Sequence, residues 1–185
     1  MQKSYLKSKK IPHWYVITGG PSSGKTTILK EFKKMGYTIY LEAARVLIDQ
    51  EMTEGKSLKE IRGNEAEFQR KVLKIKIDVE KTAPKDKVVF FDRAIPDSIA
   101  YYQICGLSPK EVLKFCPKRK YKKIFFLEQL PFDQDYARIE DNKSIKKLNK
   151  LLKESYEKLG YKVVTIPAAS VKRRVKKILT EIRNC

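Results

Sequence analysis

From residue 14 onward, short apolar runs alternate with longer segments whose apolar residues recur three and four apart. Trp14-Tyr15-Val16-Ile17-Thr18 is a β-branched and aromatic run, and 37–41, 87–91, 122–127 and 161–166 repeat the type, so five strands are predicted. Helical spacing predicts helices at about 25–35, 43–53, 64–82, 94–104, 109–115, 143–159 and 170–184. Gly36 and Gly160 fall where two of these helices should stop, and Ser170 is placed to cap the last. Strands that alternate with helices in this way build an α/β fold around a mainly parallel sheet.

Ligands on such sheets gather at the carboxyl ends of the strands, so chemistry is expected in the residues just past each one. The first strand runs into Gly19-Gly20-Pro21-Ser22-Ser23-Gly24-Lys25-Thr26-Thr27, which fits the phosphate-binding P-loop pattern. Gly19 and Gly24 permit backbone conformations closed to other residues, so successive N–H groups can converge on phosphate oxygens. Lys25 is placed to reach the β- and γ-phosphates, Thr26 to offer a hydroxyl to Mg²⁺, and the helix that begins there points its positive end at the same anion. A nucleoside triphosphate, ATP or GTP, is therefore the expected ligand. The guanine-reading Asn-Lys-x-Asp motif is missing, since Asn142-Lys143-Ser144 is followed by Ile145.

Past the other strands lie further candidates. Val88-Val89-Phe90-Phe91-Asp92 reads as a Walker B strand whose carboxylate helps to hold Mg²⁺; Asp92 can equally cap the helix expected from Ala94, and the two roles are compatible. Arg93 stands where hydrolytic motor ATPases commonly carry a glutamate, and an arginine there suits a second anionic group or the charge of a transferring phosphoryl. Glu42 is placed either to accept a proton from a substrate hydroxyl or to compensate the dipole of the helix it begins. Asp97 reads as a cap or a substrate contact. In the polar segment after the fourth strand, Arg138 is a candidate cationic finger, with solvated ion pairs to Asp135 and Glu140 as the alternative.

Composition narrows the class. At 185 residues with 42% hydrophobic and 34% charged, the chain reads as a basic tail over 1–12 followed by one domain over 13–185. No apolar stretch approaches a bilayer span, and the apolar run after the basic N-terminus is short and flows into the P-loop, so a cytoplasmic protein without a signal peptide is expected. Cys105, Cys116 and Cys185 show no CxxC spacing and read as free thiols; His13 is the only histidine, which excludes a multi-histidine metal site. The net charge of +19 could mark nucleic acid, an anionic membrane surface or only a Lys-rich composition. The basic residues are scattered along helices rather than interleaved with aromatics, which favours the last.

Taken together, Ile17 to Thr27, Glu42-Ala43-Ala44-Arg45, Phe91 to Asp97, the Asp135-Arg138-Glu140 spacing, and Gly160-Tyr161 to Pro167 followed by Ser170 resemble the small AAA-domain P-loop family that includes the ribosylnicotinamide kinase domain and predicted ATPases. The resemblance implies a three-layer, nucleotide-kinase-like core with a five-stranded sheet and a lid at about 129–142. It implies Mg-ATP binding through Gly19 to Thr27 and phosphoryl transfer to a small nucleoside- or nucleotide-like acceptor, with Lys25, Arg93 and Arg138 stabilising charge, Thr26 and Asp92 at Mg²⁺, and Glu42 as base. The alternative is a nucleotide-gated module with weak hydrolysis that engages an anionic partner, as in a eukaryotic relative that binds GTP and phosphoinositides. The family often has Asp-Arg-Gly where this chain has Asp92-Arg93-Ala94.

Overall fold

The computed structural model describes residues 11–116, 120–130 and 142–184. Within them every predicted strand and helix forms, with ends displaced by a few residues. The chain runs β1 (Trp14–Thr18), α1 (Lys25–Lys34), β2 (Thr38–Tyr40), α2 (Ala43–Thr53), α3 (Leu58–Arg62), α4 (Glu65–Thr82), β3 (Val89–Asp92), α5 (Asp97–Ile104), α6 (Lys110–Leu113), β4 (Lys123–Leu127), α7 (Asn142–Glu157), β5 (Val163–Ile166) and α8 (Val171–Arg183). The five strands form one sheet in the order β2-β3-β1-β4-β5, every neighbouring pair parallel.

β1 is buried from end to end because each of its faces meets a different layer of helices. Tyr15 and Ile17 pack with Ile28, Leu29 and Phe32 of α1 and Val175 and Ile178 of α8. Trp14 and Val16 point the other way, toward Ala83, Ala94 and Tyr156. This gives the three layers, and it explains why the strands read as unbroken apolar runs. Phe32 stacks on Phe90 at 4.3 Å and Trp14 meets Phe91 edge-on at 5.3 Å, contacts that add about 1 kcal/mol each beyond the area they bury.

Local differences from expectation have local causes. The helix expected from Ala94 begins at Asp97 instead, because the Asp97 carboxylate accepts the Ala94 N–H at 2.8 Å and closes a turn over 94–97. Asp92 therefore caps no helix. Ser170 holds the N-cap position of α8, but its hydroxyl makes no capping bond, and Gly36, with φ 86°, ends α1 as expected. The unpredicted α3 is a single capping-box helix: Ser57 N donates to Glu60 Oε2 at 2.8 Å while Ser57 Oγ accepts from Glu60 N. Cys105 and Cys116 carry free thiols, while Cys185 lies outside the described residues. Among the described residues no helix is long and apolar enough to cross a membrane.

Candidate active site

The turn between β1 and α1 has a shape only certain residues allow. Gly19 has φ 137°, and a Cβ there would stand 2.5 Å from the Leu127 carbonyl oxygen. A Cβ on Gly20 would stand 2.6 Å from Asn149 Oδ1, which accepts the Gly20 N–H at 2.9 Å. Lys25 turns back over this loop, donating to the Gly19 and Gly20 carbonyls at 2.9 and 2.8 Å and to Ser23 Oγ at 3.2 Å. Ser23 Oγ in turn donates to Gly20 O at 2.9 Å. All three ammonium hydrogens are thus taken by the loop. Burial, and then the Arg93 charge, push the lysine pKa down to about 8 against the pull of Asp92, Glu42 and Asp97. Ser22, Thr26 and Thr27 are exposed, with Thr26 at the head of α1.

Arg93 joins the two sides of the site. Its Nη2 donates to Gly19 O at 3.0 Å, the same carbonyl Lys25 holds, and its Nη1 forms a short ion pair with Glu42 Oε1. The guanidinium is buried, 5.7 Å from the centre of the Tyr101 ring, and Nε has no partner among the described residues. Burial works to lower its pKa, but Tyr101, Glu42, Asp92 and Asp97 outweigh it and hold the cation. Glu42 occupies the N-cap of α2 without making a capping bond. Burial tends to raise its pKa, yet Arg93, Lys25, Lys76 and Arg45 together bring it below the usual range. Arg93 and Ser22 are the two non-glycine residues with positive φ among those described, at 61° and 55°. Such backbone costs about 1–2 kcal/mol each, and both stand in this site. The left-handed residue is Arg93 rather than Ala94, so the missing family glycine removes nothing the backbone uses here.

Asp92, the last residue of β3, is buried, and its Oδ1 has no hydrogen-bond partner among the described residues. Burial raises its pKa to about 6; Arg93 and Lys25 oppose the rise, Glu42 and Asp97 add to it. No group of three or more His, Cys, Asp and Glu that could hold a metal occurs among the described residues. An unpaired buried carboxylate oxygen and an exposed threonine hydroxyl still fit Mg²⁺, which takes one or two protein oxygens and fills its shell with phosphate and water.

Asp97 belongs to the frame. It is fully buried, accepting from Thr18 Oγ1, Ala94 N and Tyr156 OH, so β1, the turn after β3 and α7 meet on one carboxylate. Sequence reasoning passed over Asn149 on the P-loop, Lys76, whose buried ammonium donates to Ser98 Oγ at 2.9 Å, and Arg174, whose Nη1 donates to Ser23 O at 2.6 Å. Each occupies a position in the core-facing stripe of its helix, which was the available signal. Arg138, with Asp135 and Glu140, lies outside the described residues, as does most of the expected lid.

The model of a family described as an AAA domain matches residues 14–174. No curated protein matches the chain in sequence. Among solved structures, the chain is similar to the NadR protein in complex with NR, with TM-score 0.68 and 16% identity over 94% of this chain; it spans only half, 50%, of the NadR chain. It is also similar to deoxyadenosine kinase from M. mycoides, with TM-score 0.62 and 18% identity over 93% of this chain and 100% of that one. Shikimate kinase from Aquifex aeolicus follows, with TM-score 0.57 and 19% identity over 92% and 96%. At such identities the likeness is one of fold, that of the P-loop kinases. The matched span takes in the P-loop, Glu42, the Asp92–Arg93 pair and Arg174, and the chain belongs to this AAA-domain family.

Proposed function

We propose that the chain transfers the γ-phosphoryl group of ATP to a small nucleoside- or nucleotide-like acceptor. One observation carries this reading: a single guanidinium, Arg93, bonds the phosphate loop at Gly19 O and the Glu42 carboxylate at once. Hydrolytic motor ATPases commonly carry their glutamate next to the Walker B aspartate; here Arg93 fills that position, and a carboxylate is fixed instead at the head of α2, across Arg93 from the donor loop. The kinase-like fold supports the reading by analogy.

In this reading the P-loop amides and Lys25 hold the β- and γ-phosphates, with Lys25 exchanging its carbonyl partners for phosphate oxygens. Thr26 and Asp92 would hold Mg²⁺, which would supply charge neutralisation on the phosphates. The acceptor oxygen forms a bond to the γ-phosphorus as the bond from that phosphorus to the bridging β,γ-oxygen breaks, and the hydroxyl proton passes to Glu42. Arg93 keeps Glu42 a weak base, which suits a loose transition state in which the proton leaves late. Lys25 and Arg93 would meet the charge developing on the transferred group, with Arg138 a candidate for the same task.

The test is ADP release from Mg-ATP across a panel of nucleosides, nucleotides and pyridine ribosides, with Lys25→Ala as the blank. Acceptor-dependent release is expected, and it identifies the substrate class. A flat panel despite measurable nucleotide binding overturns the transferase reading in favour of a nucleotide-gated binding module. Glu42→Gln is expected to leave nucleotide affinity near that of the wild type while slowing transfer about 10²–10⁴-fold. Turnover at the wild-type rate in that variant would make Glu42 only the structural partner of Arg93.

A further inference from the structure

Arg174 closes the first turn of α8 with 2% of its surface exposed. A guanidinium is an expensive choice there. Burial lowers its pKa, opposed only by Glu128, and the positive end of the α8 dipole disfavours a cation. Among the described residues its bonds go to backbone carbonyls rather than to a carboxylate, and Nε has no partner. Val175 and Ile178 continue the same buried stripe into the core around β1, so an apolar side chain at 174 would suit the packing. An arginine in that position is explained by what it holds.

It holds three separate segments. Nη1 donates to Ser23 O at 2.6 Å, and Nη2 donates to Glu128 O at 2.8 Å and, more weakly, to Ile166 O at 3.5 Å. Ser23 is in the phosphate loop, Glu128 is the first residue past β4, where the 128–142 segment begins, and Ile166 ends β5 at the root of the 167–170 loop. Contact with the loop is close: a Cβ on Gly24, whose φ is 80°, would stand 3.2 Å from Nη1. The planar, rigid fork of a guanidinium can serve divergent acceptors together; an ammonium on a flexible stem is a single point charge.

We infer that Arg174 is a positioning residue of the nucleotide site, holding the P-loop, the first residue past β4 and the last residue of β5 in one geometry before nucleotide arrives. The inference rests on the nucleotide reading above. Preorganisation of this kind acts mainly on binding, because a loop already ordered need not be ordered by its ligand. The chemical step, carried by Lys25, Glu42 and Arg93, should be affected much less.

The experiment is titration of the 185-residue chain with Mg-ATP, alongside acceptor-dependent turnover, for wild type, Arg174→Lys and Arg174→Met. Both variants are expected to raise the nucleotide Kd about tenfold or more, with kcat at saturating nucleotide within about threefold of wild type. Wild-type affinity in Arg174→Lys would show that charge alone suffices and would overturn the inference, as would wild-type affinity in Arg174→Met. An Arg174→Lys variant that does not fold by circular dichroism would make the residue merely structural, again overturning it. Failure of the wild type itself to bind Mg-ATP, so that it matches Lys25→Ala, would instead overturn the nucleotide reading, and this inference with it.

Discussion

Lys25→Ala is expected to weaken Mg-ATP binding and any turnover about 10²–10³-fold while leaving the fold intact. The loss follows from removing the ammonium proposed to hold the β- and γ-phosphates, a charge acting in a site where burial excludes water. Survival of the fold follows from the partners it leaves behind. Gly19 O keeps its bond from Arg93 Nη2 and Gly20 O keeps its bond from Ser23 Oγ, so neither carbonyl is stranded. The ammonium is itself costly in this position, as its lowered pKa of about 8 indicates, so its removal also relieves a desolvated charge. Titration of the variant with Mg-ATP, beside its thermal midpoint, checks both parts. Wild-type affinity in Lys25→Ala would sink the P-loop reading; a collapsed midpoint with no folded protein would mean that the lysine serves the loop's structure first.

The fold was legible because both of its signals are local. Apolar runs such as Trp14–Thr18 and Lys123–Leu127 mark strands buried on both faces, and Gly19 to Thr27 couples a strand, a turn and a helix start within one stretch. Glu42, Asp92 and Arg93 were found by position, as the residues just past strands. What they touch was not legible. The Arg93 guanidinium meets Gly19 and Glu42 across 74 and 51 residues, and nothing in the spacing says which side of a loop it faces. Lys76, Asn149 and Arg174 were passed over because charged and polar residues were weighed as surface. Each instead interrupts an apolar stripe: Lys76 follows Val72 and Leu73, Asn149 lies between Leu148 and Leu152, and Arg174 precedes Val175 and Ile178. A polar side chain at a core position must find a partner inside, so such interruptions point to long-range contacts even when the partner is unknown.

Asp92→Asn is expected to have two effects of opposite sign. The folded-state pKa of Asp92 is raised to about 6, above the value near 4 that the unfolded chain has, chiefly because burial disfavours its charged form. Between those two values the native state binds more protons than the unfolded state, so this group's contribution to stability falls as pH rises through the window. Above about pH 6 the whole cost is present, on the order of 3 kcal/mol. Asparagine keeps the shape and carries no charge. Without nucleotide, Asp92→Asn is therefore expected to melt several degrees higher than wild type at pH 7.5, with the gap closing as pH falls toward 4. Mg²⁺-dependent nucleotide binding should move the other way, since the unpaired Oδ1 is the oxygen proposed to face the ion's shell. Melting curves from pH 4 to 8, with and without Mg-ATP, separate the two. A variant less stable than wild type at pH 7.5 would show that Arg93 and Lys25 hold the carboxylate as a structural ion, and an unchanged Mg-ATP stabilisation would remove Asp92 from the metal side of the site. The expected crossing, in which the empty protein gains stability and the loaded protein loses its ligand's contribution, is the signature of a residue retained for binding at a cost to the fold.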